Sequence, residues 1–214
     1  TGSAGEPFGS LLAIGDNVLY SMAPDGLRVY DITQADKLPL IKADYYSLRG
    51  SYSDLSLNGA KTVACAAGFD KTLLFINIAT LETAKTLNLG STPQSCRFYG
   101  NYVFATTEDD IQIIDAGTPD AASVVTQIPL KTSSPFLFNG DIAYVSGFGT
   151  ASINIYDVSN PAHLAFIKSI SGFLSRNAVL KNEKVYDGNQ IWDISDPLNP
   201  SLAGSVSLDE GDLL

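Results

Sequence analysis

A repeat constrains the fold of this chain more than any other feature. Five short runs of alternating apolar residues each contain an acidic or amide marker near their end: LRVYDIT at 27–33, LLFINIA at 73–79, IQIIDAG at 111–117, INIYDVS at 153–159 and QIWDIS at 190–195. The markers Asp31, Asn77, Asp115, Asp157 and Asp193 lie 46, 38, 42 and 36 positions apart. A period of about 40 residues is the mark of an architecture in which one supersecondary unit stacks on the next, because a single small sheet cannot bury both of its faces.

Three further strands accompany each marker strand. One precedes it directly, as NVLYSM at 17–22, TVACAA at 62–67, YVFATT at 102–107, IAYVSG at 142–147 and KVYDG at 184–188. Another comes before that and runs into Gly15, Asn58-Gly59, Gly100-Asn101, Asn139-Gly140 or Asn182, residue types that accept the positive φ of tight hairpins. A fourth apolar stretch follows the marker, at 38–44, 82–89, 122–130, 163–170 and 201–208. Val, Ile, Thr and Tyr dominate, with Gly, Pro, Asn and Asp as punctuation, and no segment reads as a helix. Each unit is therefore expected to be a four-stranded antiparallel meander.

Radial packing of such units covers their faces and protects their edges. The expected fold is all-β, a five-bladed β-propeller with blades at about 9–46, 50–90, 93–130, 133–170 and 174–208. An incomplete or open propeller fragment is the alternative, since no terminal strand is left over to clasp the ring. Residues 1–8 (TGSAGEPF) read as a flexible tether or an expression scar, and 209–214 as a tail.

The marker strand and loop of the fourth and fifth units, INIYDVSNPAHLAFI at 153–167 and QIWDISDPLNPSLAG at 190–204, resemble the LVIVD repeat of bacterial and archaeal propellers. LRVYDITQADKLPLI at 27–41 fits as well; the third unit keeps IIDAGTPDAASVV at 113–125, and the second has Asn77 in place of Asp and no proline after it. The resemblance spans all five units. It implies an exported, periplasmic or cell-surface protein, and no common set of catalytic residues. The residues themselves favour a structural role for the loop: Asp and Ser accept hydrogen bonds from turn amides, while Pro161, Pro197 and Pro200 stiffen it.

Charge narrows the partners. Thirteen Lys plus Arg against 23 Asp plus Glu give a net charge of -10, which repels phosphate backbones and anionic lipid surfaces. Nucleic acid is excluded as a partner, and a protein or a glycan is retained. No apolar run reaches the roughly 18 to 20 residues of a membrane-spanning helix; a lipid anchor upstream of residue 1 is compatible with the sequence. His163 is the only histidine, and Cys65 and Cys96 lack the spacing and partners of a zinc site. No metal and no cofactor is expected.

The first strands, aligned on their closing turns, place candidate side chains at a channel mouth. One row holds Ser10, Asp54, Ser95, Pro135 and Asn177, the next Gly9, Ser53, Gln94, Ser134 and Arg176, and a third Leu12, Ser56, Arg97, Leu137 and Val179. Asp54, Arg97 and Arg176, with Tyr52 and Gln94 as neighbours, are the candidates to hold a small polar or anionic ligand. A salt bridge between blades is the competing and favoured reading. A glycosidase needs converging carboxylates, and the inner strands offer Asp54 alone; a Ser-His-Asp triad would need His163, which falls in the loop or outer strand of the fourth unit. No catalytic residue is assigned. Glu108, Asp109 and Asp110 read as a solvated hairpin in preference to a calcium site. Cys65 and Cys96 read as buried free thiols, with a disulfide between neighbouring blades as the less favoured alternative. Tyr30, Phe75, Tyr156 and Trp192 recur just before the marker as packing residues, whereas Tyr45, Tyr46, Tyr52, Phe148 and Phe173 belong in or beside loops.

Three functions stand against one another. The leading one is a non-enzymatic binding or scaffolding module of an exported or cell-surface protein. The second is a hydrolase or lyase acting on carbohydrate or lactone, with Asp54 and one arginine at the channel. The third is a structural domain of a longer surface polypeptide.

Overall fold

The computed structural model describes residues 11–34, 37–44, 48, 50–132, 134–147, 151–172, 174–175 and 177–205. The expected tether at 1–8, the tail at 209–214, Arg176, and the loop aromatics Tyr45, Tyr46, Phe148 and Phe173 lie outside the described residues. Two compact units divide the chain, Thr1–Pro129 and Leu130–Leu214.

The first unit holds three four-stranded antiparallel sheets, each an up-and-down meander in chain order. They are β1 (Leu11–Gly15), β2 (Val18–Ala23), β3 (Gly26–Asp31) and β4 (Leu40–Asp44); β5 (Tyr52–Leu57), β6 (Val63–Gly68), β7 (Thr72–Asn77) and β8 (Thr83–Asn88); and β9 (Pro93–Tyr99), β10 (Tyr102–Thr107), β11 (Ile111–Asp115) and β12 (Ser123–Ile128). The second unit holds two sheets of the same kind. They are β13 (Leu137–Asn139), β14 (Ile142–Ser146), β15 (Ser152–Asp157) and β16 (Ala165–Ser171); and β17 (Val179–Lys181), β18 (Lys184–Asp187), β19 (Gln190–Asp193) and β20 (Ser201–Ser205).

The marker residues are structural in all five sheets. Each accepts, through its side-chain Oδ1, the backbone N–H two residues on: Thr33 at 2.7 Å, Ala79 at 2.9 Å, Gly117 at 3.0 Å, Ser159 at 2.8 Å and Ser195 at 2.9 Å. The residue between donates its own N–H to the turn that opens the second strand, as Ile32 to Asn17, Ile78 to Thr62, Ala116 to Asn101, Val158 to Asp141 and Ile194 to Glu183. These paired bonds cap the end of the third strand, where Asp and Asn are suited to a local turn. Pairing with the fourth strand slips by one residue at the same place each time, between 29/30, 75/76, 113/114, 155/156 and 191/192. A bulge of this kind adds twist to the outer strand. After two of the markers a proline-initiated 3-10 turn, Pro119–Ala121 or Pro161–His163, fills the loop, and the latter takes in His163, which the sequence reading places at the start of the fourth stretch.

Alternation along the strands builds the core. Tyr20, Met22, Leu27 and Val29 pack with Leu55, Ala64, Ala66 and Ile76 between the first two sheets, and Leu73 and Phe75 pack with Val103, Ala105 and Ile114 between the second and third. In the second unit Tyr144, Ile153, Ile155, Val185 and Trp192 form the corresponding layer. Burial of a side chain such as Phe75 contributes about 2 kcal/mol. Tyr30, Phe75, Tyr156 and Trp192 are all buried. Gly172, at φ +153°, is required where it stands: a Cβ there would lie 2.8 Å from the Trp192 ring and 2.9 Å from Ile153.

Two hairpins depart from the sequence reading. Positive φ falls on Asp16 and Lys61, not on Gly15 and Gly59, whereas Gly100, Gly140 and Asn182 do take it. Gly15 answers to space: a Cβ would meet the Lys61 stem at 2.9 Å, and Lys61 pairs with Asp16 across the first two sheets.

Candidate functional site

β5 and β9 are edge strands of neighbouring sheets in the first unit, so each carries backbone amides that its own ladder leaves unpaired. Side chains of β5 cover those of β9. Asp54 Oδ2 accepts the Cys96 N–H at 2.9 Å and pairs with the Arg97 guanidinium, while Oδ1 accepts the Leu55 N–H at 2.9 Å. One turn of the pleat further, Ser56 Oγ accepts the Phe98 N–H at 3.3 Å. Ser53 donates to the Pro93 carbonyl at 2.7 Å. Arg97 also donates to the Cys96 carbonyl at 2.8 Å, which fixes its head beside the carboxylate. Burial raises the Asp54 carboxyl above the ordinary range, and the Arg97 charge and the two N–H donors pull it back.

A bulge sorts the expected neighbours of Asp54 onto different faces. Tyr52 pairs with Gly68 and Asp54 with Ala67, leaving Ser53 as the extra residue. Slipping by one residue reverses the face of every side chain beyond it, so Tyr52 packs with the layer shared with the first sheet while Asp54 faces β9. β9 has the matching irregularity, with Ser95 opposite Thr106, Pro93 opposite Thr107 and half-buried Gln94 between them. Asp54 and Arg97 are thus brought together, and Tyr52 is taken elsewhere.

Cys65 and Cys96 are free and buried, and the Cys96 thiol donates to the Cys65 carbonyl at 3.2 Å. Burial pushes the Cys65 thiol well up, and the neighbouring Cys96 adds to this. In the acidic hairpin, Thr107 Oγ1 accepts the N–H groups of Asp109 and Asp110 at 3.1 and 3.0 Å and donates to Asp110, and Ser91 bonds Asp109 at 2.9 Å. Among the described residues no group of three or more His, Cys, Asp or Glu is placed to hold a metal ion. His163 is exposed on its 3-10 turn.

On the other face of β5 lies a cleft of about 460 Å³, lined by Tyr52 and its neighbours Gly50 and Ser51, by Phe69 and Asp70 of the β6–β7 hairpin, and by Thr72, Leu74 and Thr86. Phe69 and Asp70 were outside the sequence-derived candidates. The signal available for them was an aromatic placed at a hairpin tip, where turn residues are ordinarily polar.

Residues 138–171 and 188–207, in the fourth and fifth sheets, match the LVIVD repeat family. A comparison with curated proteins finds no match. Among solved structures, a protein from Lactobacillus plantarum is similar with a TM-score of 0.74 at 17% identity, over 97% of this chain and 74% of that one. The β-propeller domain of Myceliophteria thermophila Cps50 (Swd1) gives 0.71 at 12%, over 97% and 74%. BamB from Moraxella catarrhalis gives 0.63 at 12%, over 85% of this chain and 60% of its own. These likenesses show the fold, a β-propeller built of five four-stranded blades. No helix among the described residues is long and apolar enough to cross a membrane.

Proposed function

Since the chain is a β-propeller of the LVIVD-repeat family, we propose that it is a non-enzymatic binding or scaffolding module of an exported or cell-surface protein. The observation that carries this reading is the state of Asp54. It is the one carboxylate on the inner strands that the sequence offers to catalysis, and both of its oxygens are engaged, with two backbone N–H groups and with Arg97. A general acid or nucleophile must be able to reach substrate; this carboxylate is the centre of a junction between blades. The acidic balance of the chain supports a partner with a basic surface.

The test has two arms. The purified protein is assayed against aryl glycosides and lactones, with Asp54→Asn alongside; no turnover above buffer is expected, and turnover that Asp54→Asn abolishes in a folded variant overturns the reading. A tagged copy of the full gene product is then cross-linked in cells and fractionated. Recovery from the exported fraction with a saturable protein partner is expected, and recovery from the cytoplasm alone overturns the location.

A further inference from the structure

The cleft beside β5 has a volume of about 460 Å³, within the range of sites that hold small ligands or single side chains. Its chemistry is one-sided. The Tyr52 hydroxyl donates to the Leu48 carbonyl at 3.0 Å, so the polar tip of the ring is already engaged. The chain at Gly50 passes so near that a Cβ would lie 3.2 Å from the phenol oxygen and 3.4 Å from a ring carbon. Phe69 is 51% exposed, outside the packed layers, at the opposite lip. Beside it, Asp70 has one oxygen fixed by the Thr72 hydroxyl at 2.6 Å, and the absence of a Cβ at Gly68 makes room for that oxygen, which would otherwise sit 2.6 Å away. Its second oxygen accepts no hydrogen bond among the described residues.

The lining thus combines two aromatic rings, a carboxylate held in place and the hydroxyl-bearing Ser51 and Thr86, and among the described residues it contains no Lys, Arg or His. The charge of Asp70 reaches the Tyr52 ring: after burial itself, it is what raises the Tyr52 phenol. Aromatic faces and a carboxylate both attract a cation and both disfavour an anion. A neutral apolar occupant would take water from Asp70 and return nothing. Leu74 offers an apolar surface along which a methylene stem can lie while its charged head reaches the polar end.

We propose that this cleft binds an ammonium group, carried either by a lysine side chain of a partner protein or by a free organic amine. The assignment deepens the binding-module reading and rests on it.

Amide NMR shifts of the ¹⁵N-labelled protein, titrated at constant ionic strength, test the assignment. n-Butylammonium chloride is compared with 1-pentanol, an uncharged alcohol one methylene longer, and with a trilysine peptide. Butylammonium is expected to give saturable shifts at Ser51, Phe69, Asp70 and Thr72, and 1-pentanol none. Asp70→Asn and Phe69→Ala are each expected to weaken butylammonium about five- to tenfold, with shifts elsewhere in the spectrum reporting that each variant is folded. A peptide at least about tenfold tighter than butylammonium identifies the lysine of a partner; equal affinity identifies a free amine. Equal shifts with 1-pentanol, indifference to Asp70→Asn, or no shift in the cleft each overturn the ammonium site. Those outcomes leave the binding-module reading in place, since it stands or falls on turnover by Asp54 and on recovery of a partner.

Discussion

The junction of β5 with β9 in the first unit and the segments leading into β13 and β17 in the second both fasten an inner strand, and they use different chemistry. In the first unit a carboxylate and two hydroxyls span the gap between strands of six and seven residues. In the second unit β13 and β17 have three residues each, and the fastening is upstream of them. Thr132 and Ser134 bond the Ser146 carbonyl, Ser146 Oγ accepts the Leu174 N–H at 2.5 Å, and Asp187 accepts the Ser175 N–H at 2.7 Å. Pro135 has no N–H to give to a ladder, so β13 cannot extend back through it. The first unit sets an arginine beside its carboxylate where long edge strands run side by side, and the second uses hydroxyls with the Asp187 carboxylate where the chain leaves the sheet early. The LVIVD match falls entirely within the second unit, whereas the charged junction and the cleft belong to the first.

Removing one partner of the charged junction has the largest expected effect. Asp54→Ala leaves Arg97 and the Cys96 N–H without their acceptor in a largely buried setting, at a cost of about 3 kcal/mol, read as a lowered urea midpoint. A loss below about 1 kcal/mol would place this junction with those of the second unit and remove the contrast. Gly172→Ala strikes the second unit through packing, forcing a methyl group against Trp192 and Ile153 at positive φ; about 2 kcal/mol is expected by the same measurement. Ser146→Ala withdraws one hydroxyl from the network around β14 and is expected to cost about 1 kcal/mol.

Acid titration gives the smallest effect and separates the two kinds of carboxylate by sign. Asp54 has a raised native pKa, so the native state holds its proton more tightly than the unfolded chain, and stability from this group falls as pH rises from about 4 through its native value. Asp31 and Asp157 are lowered by their bonds from Thr33 and Ser159, and Asp193 by Lys184 and then Ser195. Their contribution is present above about pH 4 and is lost as pH falls below it. The stability difference between the protein and Asp54→Asn should therefore be larger near pH 4 than at pH 7. For Asp193→Asn it should be larger at pH 7 than at pH 3. Denaturation midpoints at these values decide both, and equal differences at the two pH values would remove the distinction.

Much of the blade was legible because it is local. The marker Asp or Asn, the alternation of the strand before it and the turn-forming residues around it act within a few positions of one another, and the five markers repeat the same side-chain-to-amide bond. The candidate site was legible in part. Asp54 and Arg97 could be put on facing strands by alignment, and they do meet. Tyr52 could not be placed, since one extra residue at Ser53 reverses the face of the strand, and nothing in the identity of a serine announces a bulge. Phe69 and Asp70 gain meaning only from the strands folded beside them.

The sequence by itself determined that this chain is a set of five four-stranded blades, because strand period, turn chemistry and repeat length are properties of short segments. Tertiary structure alone decided which polar groups close a junction and which are left to face a cleft. Those outcomes depend on register and on which strand edges lie side by side, quantities summed over residues some 40 positions apart in the chain, where a shift of one residue exchanges the inside of a sheet for its outside.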